Sequence, residues 1–168
     1  ALEAYKCHSL HNKVVAVSDR NVTLYNEEGL AIPSLIEYAA ASKGDLPSTE
    51  EALNEHGIKA SIMNREDVLY LDVDVLMLAA LQEQIHESNV DRVKAGIIVE
   101  GANAPITGEA DAELAGKGVI IIPDILANAG GVIVSYFEWL QGRDTQFYTE
   151  EEIYNQLYNK MQKTMNSI

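Results

Sequence analysis

The stretch "GVIIIPDILANAGGVIVSYFEW", Gly118 to Trp139, sets an unbroken apolar run directly before Pro-Asp, then Asn-Ala-Gly-Gly, then residues of helical period. A short continuous apolar run suits a strand buried on both faces. With Asn128 to Leu140 helical, Leu126, Gly130, Ile133, Phe137 and Leu140 form one apolar stripe. Asn128, Gly131 and Ser135 recur at i, i+3 and i+7 on a different face. The stretch therefore reads as a strand that hands over to a helix with one packing face and one polar, uncluttered face.

Working outward, three more runs share the strand character: Lys13–Ser18 (KVVAVS), Val73–Leu78 (VDVLML) and Gly96–Val99 (GIIV). Helical patterns separate them at Ile32–Lys43, Gln82–Val93 and Glu109–Ala115, and the last two are long enough to cross between neighbouring parallel strands. The expected class is α/β: a parallel sheet covered by helices on both sides. Between the first two runs, Ser48 with Glu51 has the pattern of a capping box, with Gly57 as the stop. Thr149 with Glu152 repeats that pattern ahead of Ile153, Leu157, Met161 and Met165, and Thr107 is placed to cap the helix before Ala115. No internal repeat or low-complexity segment interrupts the chain, and its 168 residues suit a single domain.

Charge and composition exclude several classes. With 12 Lys and Arg against 26 Asp and Glu, the net charge of -14 offers no phosphate-neutralising footprint for nucleic acid. The apolar runs are far shorter than a membrane span. A single Cys7 has no partner for an internal disulfide, and no basic-then-apolar leader pattern is present, so a cytoplasmic setting is expected. Cys7, His8 and His11 resemble part of a metal cluster but lack a second ligand group, so no metal site is expected. No Ser-His-Asp or thiol nucleophile arrangement is legible. Trp139 and the tyrosines Tyr148, Tyr154 and Tyr158 read as packing or interface residues.

Ligands of an open parallel sheet collect beyond the carboxyl ends of its strands. Those ends are Asp19-Arg20, Ala79-Ala80, Glu100 to Asn103, and Pro123-Asp124 leading to Asn128, and all four are expected to face one crevice. At such a position Asp19 either accepts hydrogen bonds from an adenosine ribose or makes its own turn, while Arg20 would suit a 2′-phosphate. Asn103 either offers a carboxamide to a sugar or ring amide, or belongs to an ordinary strand-to-helix turn. The helix start at Asn128 either receives an anionic or carboxamide ligand or is simply capped, but capping leaves Ser135 without a task.

The segments "KVVAVSD", "LYNEEGL", "LDVDVLMLAAL", "VEGANAPITGEAD" and "GVIIIPDILANAGGVIVSYFEWLQ" together resemble the nicotinamide-cofactor domain of glutamate dehydrogenases, in order from about Lys13 to Leu140. The resemblance implies a Rossmann-like domain binding NAD, with NADP the alternative, in an enzyme that converts glutamate to 2-oxoglutarate and ammonia and forms a homo-oligomer. It places Asp19 at the adenosine ribose, Ala79 and Ala80 beside the cofactor, Asn103 and Asn128 near the nicotinamide ribose, and Ser135 at the glutamate side chain. It also implies that the first strand, its glycine-rich loop and the catalytic substrate domain lie outside these residues, with no catalytic residue in this chain. "ALEAYKCHSLHN" would then be the tail of the helix after that loop. An unpaired sheet edge and self-association would follow. Asn21-Val22, Glu27 and Leu78 depart from the pattern, where glycines, Pro and Pro are usual. The alternative is a non-catalytic domain serving as a structural or interaction module.

Overall fold

A computed structural model describes residues 11–144 and 147–166, which leaves Cys7, His8 and the expected helix tail before His11 outside the described residues. The described residues gather into two compact units, one holding those up to Val73 together with Asp91–Ala95, the other holding Asp74–Val90 and the described residues from Gly96 onward.

The first unit is built on an antiparallel sheet of β1 (Ala16–Ser18), β2 (Val22–Tyr25) and β3 (Ser61–Asn64), in that order. Here the structure departs from the sequence reading, which placed Lys13–Ser18 in the parallel sheet. The reason is local. Asp19 turns the chain at once, and Val22–Tyr25, rich in β-branched and aromatic residues, folds back on it with Ala16 opposite Tyr25 and Ser18 opposite Thr23. The Ser18 and Thr23 hydroxyls both donate to the Arg65 carbonyl, at 2.8 and 2.9 Å, which ties the 3₁₀ segment Arg65–Tyr70 to the sheet.

Helix α1 (Ile32–Ala41) and helix α2 (Glu50–Glu55) complete this unit. Leu24, Leu30, Ile32, Leu35, Leu46, Leu53 and Ile58 form its core. Helix α1 ends two residues before the expected Lys43, which lies in the left-handed region at φ 57°. Helix α2 is capped one residue later than expected: the Thr49 side chain, not that of Ser48, accepts from the Ala52 N–H. At its other end Gly57 has φ +63° and donates to the Asn54 carbonyl while Ile58 donates to Leu53, the double bond of a Schellman stop.

The second unit holds the parallel sheet: β4 (Val75–Leu78), β5 (Ile97–Glu100) and β6 (Ile120–Ile122), with β5 central. Val75, Ile97 and Ile120 stand in register, as do Met77, Val99 and Ile122. Helix α3 (Gly108–Gly116) crosses from β5 to β6 and carries the expected Thr107 cap on the Ala110 N–H. The α-helix expected at Gln82–Val93 does not form. Ile85 instead makes a parallel bridge to Ile106, Glu83 lies at φ 52°, and the Asn89 side chain accepts from the His86 N–H and donates to the Gln84 carbonyl. These side-chain bonds offer the backbone a turn in place of a helix.

Beyond β6 come a one-turn helix α4 (Asp124–Ala127), helix α5 (Ala129–Asp144) and helix α6 (Glu150–Met165). The Leu126, Ile133, Phe137 and Leu140 stripe is the less exposed side, with Leu126 and Phe137 buried. Helix α6 packs on α5, where a Cβ on Gly130 would meet Leu157 at 3.9 Å. Its capping box is formed as expected: the Glu152 carboxylate accepts from the Thr149 N–H at 2.8 Å and the Thr149 hydroxyl accepts from the Glu152 N–H.

Candidate functional site at the ends of the parallel strands

Three of the four expected strand ends belong to the second unit, where β4, β5 and β6 all finish on the same edge of their sheet. Ala79 and Ala80, following β4, are exposed. Gly101, following β5, is where the backbones crowd: an added Cβ would lie 3.2 Å from that of Ala79 and 3.4 Å from the Leu78 carbonyl. The Ala102 N–H donates to that same carbonyl at 2.7 Å. Small residues are therefore required at both ends, because two chains must converge without a side chain between them.

The loop that follows carries Asn103 to the corner after β6. There the Asn128 side-chain N–H donates to the Asn103 carbonyl oxygen at 2.8 Å, joining two carboxamides 25 residues apart in sequence. Asn128 ends α4 and immediately precedes α5, so it is a hinge residue between two helices and not the first residue of one. Gly131 and Ser135 lie exposed on α5 beyond it.

Two acids that the sequence reading left without a role frame this pair. Glu100, at the last position of β5 and only 8% exposed, accepts from the Asp124 N–H at 3.0 Å. The Asp124 carboxylate in turn accepts from the Ala104 N–H at 2.8 Å and from its neighbour Ile125. Ala104 lies at φ 43° and its carbonyl accepts from Glu83. That left-handed conformation is costly for an alanine, and doubly unexpected before Pro105, which biases its predecessor toward extended backbone. Burial pushes the Glu100 carboxyl above the ordinary range, the Asp124 N–H opposes this, and the charges of Asp124 and Asp111 push it further up. The sequence signal for Glu100 was an acid closing an otherwise apolar strand; nothing in the sequence marked Ala104.

Asp19 lies in the first unit. One carboxylate oxygen accepts from Asn21 and Val22, at 2.7 and 2.9 Å, and the other accepts from Leu46 at 2.8 Å. Burial raises its pKa, but the bonds from Leu46, Val22 and Asn21, with Arg20 nearby, outweigh that and leave it lowered. The turn-making role is thus filled, and of roughly four acceptor sites on a carboxylate one is left. Arg20 is paired with Asp45 at 2.9 Å. A cleft of about 840 Å³ in this unit is lined by Asn64, Arg65, Tyr70 and Arg92 among others, and by none of the expected site residues. Among the described residues no group of three or more His, Cys, Asp or Glu could hold a metal ion, and no helix is long and apolar enough to cross a membrane.

The strand-end geometry can be set beside known proteins. The family model described as Glutamate/Leucine/Phenylalanine/Valine dehydrogenase matches residues 1–168. The chain belongs to that family. It is 42% identical over 164 residues to a glutamate dehydrogenase of Thermotoga maritima, covering 95% of this chain and 36% of that protein. Against an NADP-specific glutamate dehydrogenase of Synechocystis the identity is 45% over 150 residues, 89% of this chain and 35% of the relative. The fold matches the crystal structure of a hetero-hexameric glutamate dehydrogenase from Thermus thermophilus, in its Leu-bound form, with a TM-score of 0.83 at 29% identity, covering 97% of this chain and 36% of that one. The chain thus spans about a third of the length of the relatives it matches.

Proposed function

We propose that this chain is the cofactor-binding domain of a cytoplasmic, homo-oligomeric glutamate dehydrogenase that oxidatively deaminates L-glutamate to 2-oxoglutarate and ammonia with a nicotinamide nucleotide. The observation that carries the reading is the Asn103–Asn128 carboxamide pair at the carboxyl edge of a parallel sheet. Their mutual bond leaves the second N–H and the carbonyl of Asn128, and both N–H groups of Asn103, to meet a ring carboxamide and ribose hydroxyls. That donor and acceptor set fits a nicotinamide nucleoside. Ala79 and Ala80 keep the approach beside it open, and Ser135 offers a hydroxyl to the substrate carboxylate. The nicotinamide ring, when bound, supplies the hydride chemistry, and these residues bind and orient.

For the adenosine end, the remaining acceptor site of Asp19 suits a ribose hydroxyl and repels a 2′-phosphate, while Arg20 is already held by Asp45. NAD is therefore the proposed cofactor, with NADP weaker, in contrast to the NADP-specific relative named above. Titration with NADH and NADPH in parallel, followed through Trp139 fluorescence and protection against thermal unfolding, tests this. Saturable NADH binding lost in Asn128→Ala is the expected result. No binding of either nucleotide at millimolar concentration would leave the chain a non-catalytic structural module.

A further inference from the structure

The carboxamide pair is held by something other than its own hydrogen bond. We propose that Glu100 and Asp124 are positioning residues that latch the loop after β5 to the corner after β6, and so set the geometry of Asn103 and Asn128. The latch runs in both directions. Glu100 reaches from the end of β5 to the Asp124 N–H, and Asp124 reaches back from the start of α4 to the Ala104 N–H. Each bond spans 20 or more residues of sequence, and together they bracket the Asn128-to-Asn103 bond, which spans 25.

The strain at Ala104 shows what the latch does. An alanine before proline left to itself leaves the left-handed region. Here its N–H is held by Asp124 and its carbonyl by the Glu83 N–H, so the loop cannot relax. Releasing the Ala104 N–H frees its neighbour Asn103. Glu100 is buried at the end of the central strand β5, where it pairs with Leu78 of β4, which makes it the fixed end of the latch. Strain persists only where the surroundings over-determine it, and sites of binding are where it accumulates.

The role in cofactor affinity rests on the proposed function; the latch itself does not. The test therefore has two readouts on the 168-residue chain. The first is hydrogen exchange of the Ala104 and Asp124 backbone amides, with the chemical shifts of the Asn103 and Asn128 side-chain amides. In the unsubstituted protein both backbone amides exchange slowly and the Asn128 amide shows a hydrogen-bonded shift; exchange at the rate of free amides would overturn the latch without any variant. In Glu100→Leu, which removes the acceptor, protection of Asp124 and Ala104 is lost and the Asn128 shift collapses. Glu100→Gln, which keeps a carbonyl acceptor, retains both, a rescue that mere filling of space by Leu would not reproduce. Asp124→Ala frees the Ala104 and Ile125 N–H groups but keeps the backbone N–H that Glu100 accepts, which secures the test if Glu100→Leu does not fold. Unchanged Asn103 and Asn128 signals in Asp124→Ala would overturn the proposal. The second readout is NADH affinity, expected to fall about tenfold or more in Asp124→Ala through misplacement of the pair. If the unsubstituted chain fails to bind NADH, the proposed function falls while the exchange data still decide the latch.

Discussion

Asp19 shows how one side chain can both build a turn and limit what it binds. Three backbone N–H groups converge on its carboxylate, and together with the charge of Arg20 they outweigh the desolvation that burial imposes. The folded value thus lies below the ordinary aspartate value of 3.8. A depressed acid contributes stability that is fully present above its unfolded pKa and lost as pH falls through the folded one. Stability should therefore decline from about pH 3.8 downward. Glu100 has the opposite sign: its raised value favours the folded state at low pH, and that contribution is lost as pH rises above the ordinary glutamate range. Urea unfolding across pH of the unsubstituted protein and Asp19→Asn separates the two. The gap between them should shrink as pH falls below 3.8, because a protonated Asp19 resembles the amide; a gap that stays constant would remove Asp19 from the acid limb.

At the scale of elements, ends are specified more sharply than middles. The Thr149 cap closes a reciprocal box with Glu152, and the three acids Glu150, Glu151 and Glu152 sit in the first turn, where the helix dipole favours them. Thr149→Ala should cost about 1 kcal/mol of stability, read from denaturant midpoints, and should lower the helical circular-dichroism signal of α6 before the rest of the chain unfolds. Simultaneous loss of all signal would show that α6 is not separately held. These ends were legible in the sequence: Thr107, Thr149 and Gly57 act as read, and the apolar runs Val73–Leu78, Gly96–Val99 and Gly118–Ile122 hold the parallel strands Val75–Leu78, Ile97–Glu100 and Ile120–Ile122. What escaped was set by side chains bonding over short range. Asn89 and the Ile85 bridge turn a helical pattern at Gln82–Val93 into turns that end in one short 3₁₀ helix, Val90–Arg92, and Asp19 folds β2 back on β1. At the site, Asn103 and Asn128 were named from residue type, but their hydrogen bond, and the acids that frame it, depend on a crossing of two loops that no local pattern encodes.

For the whole molecule, two features oppose each other. The outer edge of β4 carries no strand partner among the described residues, and one face of that sheet shows Val75, Met77 and Ile120 at 49%, 38% and 58% exposure. An open edge beside an apolar face is a template for pairing with another copy. Against this stands a net charge of -14, which makes two copies repel. Salt screens the repulsion, with a Debye length of about 10 Å at 0.1 M and about 3 Å at 1 M, and leaves the apolar term in place. Association should therefore rise with both protein concentration and salt in sedimentation velocity. Met77→Lys decides which term controls it. The substitution brings the net charge one unit closer to zero, so a charge-controlled equilibrium would shift toward association, whereas an equilibrium controlled by the sheet face would shift toward monomer. We expect the monomer, because a lysine on that face would have to be desolvated on pairing. A chain that sediments as a monomer at every salt concentration would mean that the β4 edge is protected in solution.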